Sequence, residues 1–247
     1  MNEKRVRLDR LAVSKGLVKS RTYAKDLIVA GHILCNGRIV RKASALVPDE
    51  SKLVLLKKCT AWVSRGGAKL AGVLEHFQVQ PYGNCCLDIG ASTGGFTEVL
   101  LRNGAEKVYA VDVGHSQLAE SIACNSKVVN LEGVDARNLN SIMIPDAIDI
   151  LVCDVSFISL RKVIQPSMDL VKPGGKLVCL LKPQFEVGPG TIGRTGVLTD
   201  PVVRNKVLVQ IQTWFSKIPN WQFLGTMESP LAGRGGNKEF FLGALKV

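Results

Sequence analysis

From residue 61 onward, short runs of β-branched and apolar residues alternate with stretches of helical patterning, and this alternation limits the possible folds more than any other feature. The runs span 85–89, 107–113, 128–131, 149–155, 176–182, 223–227 and 239–245. Near-continuous apolar strands separated by helices are expected of an α/β fold whose parallel sheet is covered on both faces. A helix is predicted over 69–77, ahead of the first run. The last two runs leave no room for a helix between them, so they are predicted to pair antiparallel at the end of the sheet.

The composition agrees with a folded protein. Of 247 residues, 46% are apolar and 21% charged, ordinary values for a globular chain, and the length suits one large domain plus a small module. No apolar run approaches the roughly 18 residues of a spanning helix. The opening Met1-Asn2-Glu3-Lys4-Arg5-Val6-Arg7 is charged, with no long apolar stretch behind it. Neither a membrane span nor a secretory leader is expected, and the predicted location is cytoplasmic. Seven cysteines (35, 59, 85, 86, 124, 153 and 179) form no Cys-x-x-Cys pair and lie mostly in apolar runs. They read as buried free thiols. His32, His76 and His115 lack ligand spacing, so no metal is expected.

The charge is concentrated at one end. Residues 1–60 hold 14 Lys and Arg against five acids, which leaves only +2 of the +11 net charge for residues 61–247. The segment is expected to be a separate module with a polyanionic partner: RNA, DNA or an anionic membrane. Val6, Leu8, Leu11 and Ala12 form an apolar stripe at helical spacing, closed by Gly16. Ser20 is placed to cap a second helix that carries Ala24, Leu27, Ile28 and Ala30 inward and ends at Gly31. Asn36-Gly37, flanked by apolar residues, predicts a hairpin, and 52–57 a closing strand. Arg21 and Lys25, four apart, share a helix face near Arg7, Arg10 and Lys19 if the helices pack.

This order of elements, with Arg7-Leu8-Asp9-Arg10-Leu11, Ser20-Arg21 and Ala30-Gly31-His32-Ile33-Leu34-Cys35-Asn36-Gly37, resembles the S4 RNA-binding domain, a small α+β module. The resemblance implies recognition of structured RNA through phosphates and shape. Arg7, Arg10, Lys19, Ser20, Arg21, Lys25 and Arg38 are the residues it places toward RNA.

The chemistry of the larger segment begins at Asp88-Ile89-Gly90-Ala91-Ser92-Thr93-Gly94-Gly95-Phe96, where a strand runs into a glycine-rich turn and a helix. Open sheets bind ligands at the carboxyl ends of their strands, and glycine lets the backbone approach them closely. Asp112, with Val113 behind it, ends the second run and can accept from both hydroxyls of a ribose. Asp135, followed by Ala136, follows the third run and is positioned for an adenine amino group. Two nucleotide cofactors suit such a site. A dinucleotide wants Gly-x-Gly-x-x-Gly, which is absent here. S-adenosylmethionine carries a sulfonium and no phosphate, and it suits a turn flanked by acids.

The pattern Asp-x-Gly-x-x-x-Gly-Gly-Phe with Asp112 and Asp135 resembles the FtsJ-like ribose methyltransferases, which use S-adenosylmethionine on a Rossmann-like sheet. The resemblance implies a Lys-Asp-Lys-Glu tetrad, and Lys69, Asp154, Lys182 and Glu239 fill it. Asp154 would also lie at the cofactor. Lys182 would be nearest the acceptor hydroxyl, Asp154 would fix its ammonium, Lys69 would add positive charge and Glu239 would orient a lysine. Lys182 then acts either as a base or as a stabiliser of the developing alkoxide. With the S4 module in front (1–60, then 61–247), the whole chain resembles the TlyA family. Membership implies 2′-O-methylation of cytidine in bacterial ribosomal RNA of either subunit, with assembled subunits among the substrates and no obligate protein partner.

Two other functions are weighed. A membrane-damaging hemolysin, the family's other label, would need a spanning helix or alternating barrel strands that the sequence lacks. A catalytically silent RNA binder is opposed by the complete tetrad. The stretch 183–200, rich in glycine and proline and followed by Arg204, reads either as a lid over RNA, with Arg194 and Arg204 toward phosphate, or as a plain surface loop.

Overall fold

The computed structural model describes residues 4–18, 20–56, 62–188, 190–193 and 195–247. The chain divides into two compact units, Met1–Arg65 and Gly66–Val247. Lys19, Arg194, Cys59, the end of the strand expected over 52–57 and the 60/61 boundary lie outside the described residues.

In the first unit, β1 (Arg5–Arg7) leads directly into α1 (Leu8–Ser14) and then α2 (Arg21–Ala30). Val6 is therefore a strand residue and not the first turn of a helix. It pairs with Val47 of β4 (Leu46–Pro48), a partner too short to be visible as a strand in the sequence. Leu8, Leu11 and Ala12 are buried as the stripe requires. Ser20 Oγ accepts from the Tyr23 amide at 3.2 Å and caps α2, while Gly31 closes it at φ +81°. Between β2 (Ile33–Cys35) and β3 (Arg38–Ile39), Asn36 and Gly37 both take positive φ, the type I′ geometry expected of Asn-Gly. β5 (Leu53–Leu55) pairs antiparallel with β2 and completes a three-stranded sheet.

At the start of the second unit lies α3 (Arg65–Ala71), which begins four residues earlier and ends six residues sooner than the helix predicted over 69–77. Gly66-Gly67 is a poor helix former by itself, and burial of Gly67, Lys69 and Leu70 holds the helix there. The helix stops before Gly72, where a Cβ would come within 2.9 Å of Pro230. The sheet is then built from β6 (Cys85–Ile89), β7 (Lys107–Asp112), β8 (Val128–Glu132), β9 (Ile148–Cys153), β10 (Val171–Leu181), β11 (Trp221–Glu228) and β12 (Phe240–Lys246). Its order is β11-β12-β10-β9-β6-β7-β8, with only β12 running against the rest. The expected antiparallel pairing of the last two strands is present, and β12 is inserted between β10 and β11.

Both faces of the central strands β12, β10, β9, β6 and β7 are buried, while the edge strands β8 and β11 are partly exposed. Leu87, Ile89, Leu151, Leu177 and Cys179 pack with α6 (Leu160–Asp169) and α7 (Pro201–Phe215) in one core. The alternate residues Cys86, Val108, Val152 and Val178 point to the opposite face and are also buried. There Phe96 of α4 (Gly95–Arg102) stacks on Phe241 of β12 at 6.1 Å. Burial on both faces explains why these strands read as unbroken apolar runs. Of the described cysteines, Cys35, Cys86, Cys153 and Cys179 are buried and Cys85 is half-buried, whereas Cys124 is exposed, contrary to the expectation of burial. It lies at the end of the short α5 (Glu120–Ala123), on the solvent side.

This topology places the site. From β6 the chain fills β7 and β8 on one side, then crosses to β9 on the other, so the carboxyl ends of β6 and β9 open a crevice between them. Gly90 makes the approach possible: at φ +78°, a Cβ there would sit 2.6 Å from the Asp154 carbonyl oxygen.

Candidate active site

A cavity of about 730 Å³ lies at this crevice. Its wall comes from the ends of four adjacent strands: Gly90 and Ser92 after β6, Asp112 and Val113 after β7, Val134 to Arg137 after β8, and Asp154 to Ile158 after β9. Of the sequence-predicted cofactor residues, Gly90, Ser92, Asp112, Val113, Asp135, Ala136 and Asp154 are brought together there. Asp88, Thr93, Gly94, Gly95 and Phe96 are not on the wall. Asp88 is wholly buried, and its Oδ2 accepts from Thr97 Oγ1 at 2.7 Å. Burial pushes its carboxyl up to about 7, against the pull of the Thr97 bond, and its Oδ1 has no hydrogen-bond partner. Asp88 thus ties β6 to the first turn of α4 from beneath the cavity.

The two remaining acids differ in what they have left to offer. Asp112 Oδ2 accepts from the Ser92 amide at 2.8 Å, and Oδ1 accepts from the Gly114 amide at 2.7 Å and Gln117 Nε2 at 3.5 Å. A carboxylate has about four acceptor sites, so with three bonds made Asp112 keeps room for about one hydroxyl unless the long Gln117 bond gives way. Asp135 has none to spare. Arg137 gives it the backbone amide and Nε at Oδ1, and Nε and Nη2 at Oδ2. The guanidinium bonds hold the Asp135 carboxyl down to about 2. Asp135 thus meets the cavity as an ion pair with Arg137.

The four tetrad residues form two ion pairs. Lys182, just past β10, places Nζ 2.5 Å from Asp154 Oδ1 and donates to Ser156 Oγ at 2.8 Å. Lys69 donates to Glu239 Oε2 at 2.6 Å, with both side chains buried. Gln184 Nε2 reaches Glu239 Oε1 at 3.4 Å. Because Gln184 is two residues from Lys182, the pairs are linked by about 7 Å of backbone at most. Glu239 is thus held between Lys69 and Gln184. The Lys69 charge is met directly by Glu239. Beside this site Phe157 is 84% exposed, holds φ +65° and packs on Phe185 at 5.0 Å.

The loop after Lys182 is pinned at both ends. Pro183 and Gln184 are buried at its start. The Leu198 amide donates to Asn237 Oδ1 at 2.9 Å, and Asn237 Nδ2 donates to the Gly196 carbonyl at 3.0 Å. Between these anchors the described residues Gly188, Gly190, Thr191, Gly193, Thr195 and Gly196 are exposed. Arg204 belongs to α7, outside that stretch.

In the first unit, Arg7 and Arg21 are brought together as expected, by a residue the sequence reading did not single out. The buried Asp9 accepts from Arg7 Nε at 3.0 Å, Arg7 Nη2 at 2.9 Å and Arg21 Nη2 at 3.1 Å. The Arg7 bond is foremost in holding its carboxyl down to about 2. Ser20 Oγ is taken up as the helix cap. Arg10, Lys25 and Arg38 are exposed.

A family model of FtsJ-like methyltransferases matches residues 62–246, and an S4 domain model matches residues 6–52. The chain is 42% identical to the 16S/23S rRNA (cytidine-2′-O)-methyltransferase TlyA of Mycobacterium tuberculosis, over 97% of this chain and 89% of that one. The chain belongs to the TlyA family. Hemolysin A of Brachyspira hyodysenteriae is a further relative, 37% identical over 95% of this chain and 98% of its own length. A candidate hemolysin of known structure from Streptococcus thermophilus superposes with a TM-score of 0.74 at 34% identity, covering 100% of this chain and 90% of that one.

Several residues of this TlyA-family site escaped the sequence reading. Arg137, Ser156, Phe157 and Gln184 were visible only as neighbours of the strand-end acids and lysines, and nothing in their spacing gave them roles. An apolar aromatic directly after Asp154-Val155-Ser156, where the strand has ended, was the one usable signal. Asp112→Ala is expected to weaken cofactor binding by about 1.5–3 kcal/mol, because it removes charge-assisted acceptors and also frees the Ser92 and Gly114 amides. Calorimetric titration with the cofactor checks this, and unchanged affinity would remove Asp112 from the binding site.

Proposed function

We propose that the chain transfers a methyl group from S-adenosylmethionine to the 2′-hydroxyl of a cytidine in bacterial ribosomal RNA, in the small subunit, the large one or both, and that it does so in the cytoplasm with the basic first unit holding the RNA. The observation that carries this reading is the Lys182 ammonium, fixed between Asp154 and Ser156 beside a cavity whose wall is apolar and acidic. An ammonium has three donors. Ser156 takes one of them and the ion pair with Asp154 fixes the ammonium, which leaves donor capacity for an oxygen arriving from the cavity side.

The cavity suits S-adenosylmethionine on its own chemistry. Ile89, Val111, Val134 and Val163 supply apolar wall, and Asp112, Asp135 and Asp154 supply negative charge. Arg137 is the one cationic residue of the wall, and Asp135 answers it. Such a wall favours a cationic, phosphate-free nucleoside over a pyrophosphate. The bound cofactor supplies an electrophilic methyl on its sulfonium. The chain's contribution is to place the acceptor: Phe157 offers an exposed ring face on which a base can stack, and Lys182 holds the 2′-oxygen in line and steadies its developing charge as its proton passes to water.

The deciding assay gives the purified protein labelled S-adenosylmethionine and bacterial ribosomal subunits, and maps the label by resistance of the backbone to alkali. Label on the ribose of a cytidine is expected. Label on a base, or none with either subunit, would count against the reading.

RNA binding has its own signature. If about six Lys and Arg of the first unit neutralise phosphates, affinity falls by roughly 10³ between 50 and 200 mM salt. Replacing Arg10, Lys25 and Arg38 by Ala together is expected to lower the salt slope by about three while leaving cofactor affinity intact. An unchanged slope would place the phosphate contacts elsewhere.

A further inference from the structure

The Glu186 side chain is only 3% exposed, yet the chemistry proposed above gives it no task. Its Oε2 accepts from Ser159 Oγ at 2.7 Å, and its Oε1 accepts from the Leu160 amide at 2.6 Å. Arg161 Nε stands 3.6 Å away. Ser159 is the N-cap residue of α6, but its own side chain does not cap the helix. Glu186 takes one of the helix's first amides in its place.

This contact is the last of three that join the segment 182–186 to the loop 154–159. Lys182 meets Asp154 and Ser156, Phe185 packs on Phe157, and Glu186 meets Ser159 and Leu160. Phe157 sits within this stitched region in the left-handed region of backbone space, at φ +65°. A bulky residue holds that conformation only when its surroundings impose it. Its flanks are imposed by Ser156, bonded to Lys182, and by Ser159, bonded to Glu186.

We propose that Glu186 is a positioning residue for methyl transfer: by clamping the start of α6 to the turn after β10, it holds the Phe157 ring and the Lys182 ammonium in the geometry that receives the acceptor nucleotide. This rests on the function proposed above. It makes Glu186 act through those two groups, with no contact to cofactor or RNA. Displacements of about 1 Å at a reacting centre can cost on the order of 10²-fold in rate, so a clamp of this kind is sufficient to matter.

The test uses the full chain with Glu186→Ala and Glu186→Gln, each also combined with Phe157→Ala. Glu186→Ala is expected to lower the single-turnover rate about 10- to 100-fold. Cofactor affinity should stay within about twofold, because Gly90, Asp112 and Asp135 on the far wall of the cavity have no contact with Glu186 or its partners Ser159 and Leu160. Glu186→Gln, which keeps one acceptor oxygen, should recover part of the rate. In the Phe157→Ala background the further loss from Glu186→Ala should be much smaller than in the wild type, which general loosening of the fold would not produce. Exchange of the Leu160 amide should quicken in Glu186→Ala independently of any activity. Wild-type protein that fails to methylate ribosomal RNA would overturn the functional reading, while the exchange data still report on the clamp. A normal single-turnover rate in Glu186→Ala, fully multiplicative losses with Phe157→Ala, or an unchanged Leu160 exchange rate would overturn the role of Glu186.

Discussion

Lys182→Ala is expected to slow the chemical step by about 10²–10⁴-fold while both cofactor and RNA still bind. Lys182 is not itself part of the cavity wall, so its removal is expected to leave the proposed cofactor pocket in place. What disappears is the donor proposed above for the acceptor oxygen, together with the counter-charge of Asp154. The loss should appear in the single-turnover rate and not in KM. Lys182→Arg should not restore it, because a planar guanidinium fork cannot occupy the compact position between Asp154 Oδ1 and Ser156 Oγ. A normal single-turnover rate in Lys182→Ala would make this lysine structural and dissolve the functional pairing with Asp154.

The second large effect concerns stability. Glu239→Ala is expected to destabilise the fold by about 3–5 kcal/mol, because it strands the Lys69 ammonium, whose side chain is only 8% exposed, without a counter-charge. Gln184 loses a hydrogen-bond partner at the same time. Replacing the pair together, with Lys69→Met and Glu239→Gln, should recover most of that loss, since no uncompensated charge then remains. Urea unfolding followed by circular dichroism reads both variants. A loss below about 1 kcal/mol in Glu239→Ala would mean that the pair is effectively solvated, as surface ion pairs are.

These two lysines illustrate how far sequence reasoning reached. Both were placed by resemblance within one tetrad, and Lys182 stands at a strand end, where open α/β sites lie. Their division into an Asp154–Lys182 pair and a buried Lys69–Glu239 pair required knowing that α3 and the entry to β12 meet, 170 residues apart in sequence. Asp135 is a similar case. Its position after the third strand was legible, but its capture by Arg137 was not, because a local Asp-x-Arg contact depends on the turn the backbone takes there. In the basic unit, the Ser20 cap and the Asn36-Gly37 turn were legible because each rests on local backbone chemistry. The β1–β4 pairing was hidden because three-residue strands carry no periodicity to detect.

What the sequence determined by itself are the features written in short-range pattern. The seven apolar runs and their alternation with helices specify a mostly parallel sheet buried on both faces. Asn-Gly and Ser caps specify turns and helix ends, and the clustering of basic residues before residue 60 specifies a polyanion-binding module. Only the tertiary structure decided which charges neutralise one another. Asp9 with Arg7 and Arg21, Lys69 with Glu239, and Glu186 with the start of α6 are partnerships set by where folded elements come into contact. Except for Asp9 with Arg7, their residues lie far apart in the chain. The energy of a buried charge depends on the partner within a few ångströms, and that partner is fixed only once the sheet order is fixed.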